Sequence, residues 1–104
     1  MHQISIEPLA DMATKLIQMN EENFALDTAT GTLEKFIGQL YSLFESKRRL
    51  DLMNEPEQLA AGYDEFKFHL AKLKLMHDTL LSQSDLEQVH KCLPKDKKFS
   101  ELIN

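Results

Sequence analysis

Apolar side chains recur at steps of three and four residues through most of this sequence, and this spacing constrains the fold more than any other feature. The longest stretch follows Pro56 and contains Leu59, Tyr63, Phe66, Leu70, Leu73, His77 and Leu80. Steps of this kind place side chains on one face of a helix, and an average spacing of 3.5 residues is typical of a seam against a neighbouring helix. We therefore predict a long helix over about residues 56–82, with a coiled-coil-like seam.

The composition supports helices throughout the chain. Seventeen Leu and five Met stand against a single Val, a balance that favours helices over strands. Only three Gly and three Pro occur among 104 residues, so turns are few and the elements are long. We predict an all-α fold, a small helical bundle of three to four main helices, formed by residues 1–104 as a single domain.

Three further helices are predicted from their start signals. Pro8 is suited to the first turn of a helix, and Thr30 or Thr32 can cap the second helix with its hydroxyl. Ser84 and Glu87 match a capping box at the start of a short fourth helix.

The second helix has a well-defined apolar stripe, which we expect to face the core. Its members are Leu33, Phe36, Ile37, Leu40, Tyr41, Leu43 and Phe44. Gln39 lies off this stripe and is expected in water. Gly38 inside the helix indicates either a close approach of another backbone or a tolerated surface position.

Phe68 and Leu75 point almost opposite to the seam of the long helix, with Ala61 and Ala71 nearby. This helix therefore has two apolar faces, and one neighbour can cover only one of them. The second face is covered by another helix of the same chain, by a second copy or by a different protein. The candidate partner-binding residues are Phe68 and Leu75, flanked by Lys67, Lys72 and Lys74.

Sequence motifs for catalysis are absent. No GxSxG, HExxH or GxxxxGK[ST] string occurs, and the only thiol, Cys92, is two residues from His90, too far around a helix to pair with it. We therefore expect no enzyme activity and no cofactor. The sequence predicts a non-catalytic helical protein-interaction protein, a small regulator, chaperone or inhibitor that acts by helix–helix binding, either on another protein or as a homodimer.

Two alternatives use other residues. Glu65, His69 and His77 lie on one helix and suggest metal binding, although a Glu65–His69 hydrogen bond in solvent is the simpler reading and we assign no metal site. The run Lys47-Arg48-Arg49, together with Lys72 and Lys74, suggests a nucleic-acid-binding regulator. Cations near the C-terminal end of a helix complement the helix dipole more often than they bind phosphate, which makes nucleic-acid binding the weaker alternative. His77 in the seam also suggests a contact that protonation loosens.

Charge and cysteine content limit the kinds of partner and the cellular compartment that we expect for this chain. The net charge is −5, and residues 1–31 carry five acidic residues against one lysine, a balance that disfavours nucleic acid and suggests a basic partner as a further alternative. A single Cys forms no internal disulfide, and the sequence contains neither a signal-peptide pattern nor an apolar run long enough to span a bilayer. We therefore expect a cytoplasmic protein without membrane contact.

Overall fold

The computed structural model describes residues 6–22 and 31–103, and these residues form helices and no strands. In chain order the helices are α1 (Glu7–Glu22), α2 (Thr32–Asp51), α3 (Pro56–Thr79), α4 (Gln83–Cys92) and α5 (Phe99–Leu102). The all-α prediction is therefore confirmed, with four main helices and one short one. The described helices are not long and apolar enough to cross a membrane.

The most extensive interface joins α2 and α3, which form an antiparallel hairpin. The Gln39 amide donates to the His69 carbonyl at 3.0 Å, and Arg49 pairs with Glu65 nearer the turn. These contacts run in opposite directions along the two helices, as an antiparallel pair requires. Helix α1 packs against α2 and α4 and closes the bundle.

The core consists of apolar side chains from all five helices of the described chain and from the residues that directly follow α3 and α5. Its members are Leu9, Met12, Ala13, Leu16, Leu33, Phe36, Ile37, Leu40, Leu43, Phe66, Leu73, Leu81, Val89, Cys92, Phe99 and Ile103. Most of the stripe predicted for α2 is thus confirmed. Phe66 and Leu73 are completely buried and represent the seam of α3 in this core.

Two predictions for α2 are wrong at the edges of its stripe. Tyr41 is 56% exposed, whereas Gln39 is only 6% exposed and bonds to His69 of α3. Ser46 on the same side as Gln39 is also buried. Because α3 packs on the Gln39 side, the buried arc of α2 is rotated toward Gln39 and away from Tyr41.

The start of α2 differs from the predicted threonine cap. Gly31 occupies the cap position with φ 63°, a left-handed conformation that glycine adopts at little cost. Thr32 is already the first helical residue, and its hydroxyl donates to Asp85 at 2.6 Å instead of capping its own helix. Thr30, the other predicted cap, lies outside the described residues.

Helix α3 begins at Pro56 as predicted but ends at Thr79 instead of 82, and α4 begins two residues before the predicted start. Ser82 accounts for both differences. Its backbone is extended and its hydroxyl oxygen accepts the Asp85 N–H at 3.2 Å, so it caps α4 and lies outside α3. The predicted capping box of Ser84 and Glu87 is therefore wrong.

Asp85 connects the starts of two helices. It lies in the first turn of α4 and is only 3% exposed. Its carboxylate accepts a hydrogen bond from the hydroxyl of Thr32, the first residue of α2. A carboxylate is favoured near helix N-termini because the unpaired N–H groups there carry partial positive charge. Asp85 thus links the first turns of α2 and α4 through a side-chain hydrogen bond.

Replacing Asp85 with Ala should lower the free energy of unfolding by about 1–3 kcal/mol, since a buried charged hydrogen bond and its helix-dipole contact are lost. Urea denaturation measures this change. The exposed Glu87→Gln variant in the same helix is the control and should stay within about 0.5 kcal/mol of the native protein. Equal losses in the two variants would contradict the structural role of Asp85.

Two glycines lie inside helices in opposite surroundings. Gly38 of α2 is exposed, and a Cβ atom there would meet nothing within 4 Å. Of the two predicted alternatives, Gly38 is therefore the tolerated surface position. Gly62 of α3 is buried, and a Cβ atom there would lie 2.6 Å from the Met53 sulfur and 3.2 Å from Leu50 Cδ1. The close approach is therefore made at Gly62, where α3 passes the end of α2.

Substituting alanine at the two glycines should give different results. Gly38→Ala should raise the free energy of unfolding by about 0.5–1 kcal/mol, because alanine loses less backbone entropy in a helix. Gly62→Ala should raise the free energy of unfolding by less or should lower it, because the Met53 side chain must shift to make room for the new methyl group. Equal gains in chemical denaturation would show that the α2–α3 turn is looser than the structure indicates.

Candidate protein-binding face

Helix α3 separates cleanly into an inner and an outer face. The inner positions, all buried or partly buried, include Leu59, Gly62, Tyr63, Phe66, His69, Leu70, Leu73, Met76 and His77. The outer positions, all exposed, include Ala60, Ala61, Asp64, Lys67, Phe68, Ala71, Lys72, Lys74, Leu75, Asp78 and Thr79. The two-faced helix predicted from the sequence is thus present, with only one face packed.

Phe68, Ala71 and Leu75 form a strip on the outer face, which we call the outer patch. Phe68 is 63% exposed and Leu75 is 61% exposed. Seven residues of helix separate them by about 10 Å along the axis. The described part of the chain leaves these side chains uncovered, and contiguous apolar patches on a protein surface mark interaction sites.

The predicted flanking lysines surround the outer patch. Lys67, Lys72 and Lys74 are exposed, and no ion pair links them to an acidic residue in the described ranges. The Lys67 ammonium lies 4.6 Å from the centre of the Tyr63 ring, a cation–π contact with the edge of the inner face. The lysines are therefore available to a partner's acidic groups.

The basic run at the end of α2 is different, because each of its cations already has an acidic neighbour. The pairs are Lys47–Asp51 at 2.6 Å, Arg48–Glu45 at 2.7 Å and Arg49–Glu65. The hydrogen bond from Arg48 lowers the pKa of Glu45 below its ordinary value, and Glu45 raises the pKa of Arg48. This run lies in the last turns of α2, where cations complement the helix dipole, and offers little free charge to phosphate.

The residues suggested for metal binding are not brought together. Glu65 already pairs with Arg49, and its Oε1 lies 3.7 Å from His69 Nε2. His69 Nδ1 in turn lies 3.2 Å from the Gln39 amide nitrogen. His77 is eight residues further along, about 12 Å on the helix axis. Across residues 6–22 and 31–103, no three His, Cys, Asp or Glu side chains form a group able to hold a metal ion.

His77 belongs to the inner packing of α3, as its seam position predicts. Its ring stacks on Phe99 with centroids 4.1 Å apart, and its Nδ1 lies 3.0 Å from Asp78 Oδ1. Its Nε2 is buried without a hydrogen-bond partner. The other aromatic rings near it are Phe36 of α2 and His90 of α4, so the seam contacts of His77 lie within the chain.

A cleft of about 550 Å³ opens where the end of α3 meets α4 and α5. Lys74, Lys97 and Lys98 line it together with His90, above apolar side chains such as Phe99. Lys74 also flanks the outer patch, so the cleft continues the cationic surface beyond Leu75. Sequence reasoning missed this cluster because its residues come from separate segments that only the tertiary fold brings together.

Cys92 is a core residue on α4. Its side chain is buried, and burial raises the pKa of the thiol, an effect that nearby Lys15 partly opposes. A buried thiol of raised pKa carries little thiolate at neutral pH, which makes it a poor nucleophile.

Comparisons with protein-family models, with curated proteins and with solved structures give no significant match to this chain. The residues of the chain itself therefore supply the basis for a functional assignment. Among them, the outer face of α3 combines exposed apolar side chains with lysines that form no ion pair within the described residues.

Proposed function

We propose that this chain is a non-catalytic protein-interaction protein that binds a helix of its partner on the outer patch of α3. It acts as a small regulator, chaperone or inhibitor, and its partner is another protein or a second copy. The observation that carries the proposal is the exposure of Phe68 and Leu75 on a helix whose opposite face is fixed in the core. The lone buried cysteine is compatible with a reducing compartment, and we place the protein in the cytoplasm.

The energetics of such binding favour the outer patch. Burying Phe68 or Leu75 contributes about 1.5–3 kcal/mol each before the cost of association is subtracted. Phe66 and Leu73 already anchor the same helix from within. The patch is therefore presented on a rigid backbone, which limits the entropy lost when a partner binds.

The two alternative functions have less support. A metal site at Glu65 and His69 would have to displace Arg49 and Gln39 from their present contacts. Nucleic-acid binding through the basic run of α2 would have to compete with its acidic partners. The outer patch requires no such rearrangement.

The double substitution Phe68→Asp and Leu75→Asp tests the proposal. Both sites are exposed, so helicity and the urea midpoint should remain near native values, while association should weaken at least about tenfold through lost apolar burial. Capture of partners at native concentration, combined with molar mass by light scattering, measures this loss.

Leu52→Asp provides the matched control, since Leu52 is 70% exposed but lies in the α2–α3 turn, away from the outer patch. This variant should bind as the native protein does. A double variant that keeps its helicity and oligomeric state and still binds every native partner would refute the proposed face.

A further inference from the structure

The charges around the outer patch define the kind of helix that fits it. We infer that the partner is a different protein, which presents an amphipathic helix with acidic residues on both sides of its apolar stripe. This inference rests on the proposed function and specifies the chemistry of the partner. It follows from the register of the outer face, from the position of the lysines and from the consequences of self-pairing.

The outer face of α3 has a regular register of its own. Successive steps of three and four residues lead through Ala61, Asp64, Phe68, Ala71, Leu75 and Asp78, all exposed. This is the 3.5-residue spacing with which one helix packs along another. Asp64 and Asp78 close the strip at its two ends, so the apolar contact is confined to the two turns between Phe68 and Leu75.

The lysines occupy the positions that flank this register. Lys67 and Lys74 immediately precede Phe68 and Leu75 on one edge of the strip, and Lys72 follows Ala71 on the other edge. In paired helices, residues at these flanking positions face the flanking residues of the partner. Both edges of the outer patch therefore present positive charge to whatever helix docks there.

Self-pairing of α3 brings like charges together in either orientation. In a parallel pair, Lys67 faces Lys72 of the second copy, and each Asp64 and Asp78 meets its own equivalent in the seam. In an antiparallel pair, the edge with Lys67 and Lys74 lies against the same edge of the second copy. Such contacts oppose association, so a second copy is a poor occupant.

The surroundings of the outer patch extend the positive surface at its C-terminal end. Lys97 and Lys98 line the cleft that Lys74 also reaches. Asp78 is the acidic residue in the same lining, and its carboxylate contacts His77. Acidic residues on a partner helix thus meet cations along the patch and past Leu75, although the chain as a whole has a net charge of −5.

Two synthetic helical peptides test this inference on the full-length chain. They share one apolar stripe and carry either Glu or Lys at the flanking positions, and fluorescence anisotropy measures their affinity at low and moderate salt. The Glu peptide should bind at least about tenfold more tightly, with the difference shrinking as salt screens the charges.

Substitutions test whether the lysines beside the outer patch cause the preference for the Glu peptide. The triple variant Lys67→Gln, Lys72→Gln and Lys74→Gln should lose the preference for the Glu peptide. A control triple variant at the exposed residues Lys35, Lys91 and Lys95, also changed to Gln, should retain it. The Phe68→Asp and Leu75→Asp double variant should lose binding of the Glu peptide altogether.

The outcomes separate this inference from the proposed function. Equal or tighter binding of the Lys peptide overturns the acidic partner but leaves the outer patch as the docking face. A native dimer that the Phe68→Asp and Leu75→Asp variant abolishes also overturns it, because the occupant is then a second copy. If neither peptide binds, the inference is overturned. Capture of partners by the Phe68→Asp and Leu75→Asp variant then still tests the proposed function separately.

Discussion

The rest of this structure depends on the packing of one face of α3 against α2. Phe66 and Leu73 enter the core completely, together with the apolar stripe of α2. The helix also has apolar residues on its opposite face, and the described chain provides no element to cover them. Since a rigid helix cannot turn both faces toward one neighbour, burying Phe66 leaves Phe68 outside.

Buried polar contacts fix how the helices meet. Gln39 bonds to His69 across the α2–α3 interface, and Asp85 joins the first turns of α2 and α4. Buried polar groups are costly when unpaired, so these bonds favour one register over alternatives in which the apolar contacts would be equally good. A fixed register holds the outer patch in one orientation, which is what a binding surface requires.

Helical spacing and composition were sufficient to predict the fold class, the start of α3 at Pro56 and the placement of Phe68 and Leu75 opposite the seam, but not whether the chain itself covers them. The sequence could not predict which edge of α2 is buried, because that depends on the side on which α3 packs. Tyr41 and Gln39 exchange their expected places for this reason. The sequence does not mark Ser82 as a cap, because the seam pattern of α3 continues through Leu80. The Asp85–Thr32 contact could not be predicted either, because it joins residues 53 positions apart that only the tertiary fold brings together.

The most direct test of this account compares two neighbouring phenylalanines of α3 by equilibrium urea denaturation. Phe66→Ala removes a completely buried ring and should lower the free energy of unfolding by about 3–5 kcal/mol, whereas Phe68→Ala should change it by less than about 0.5 kcal/mol. Similar losses at the two positions would contradict the account, because they would mean that the chain itself covers both faces of α3.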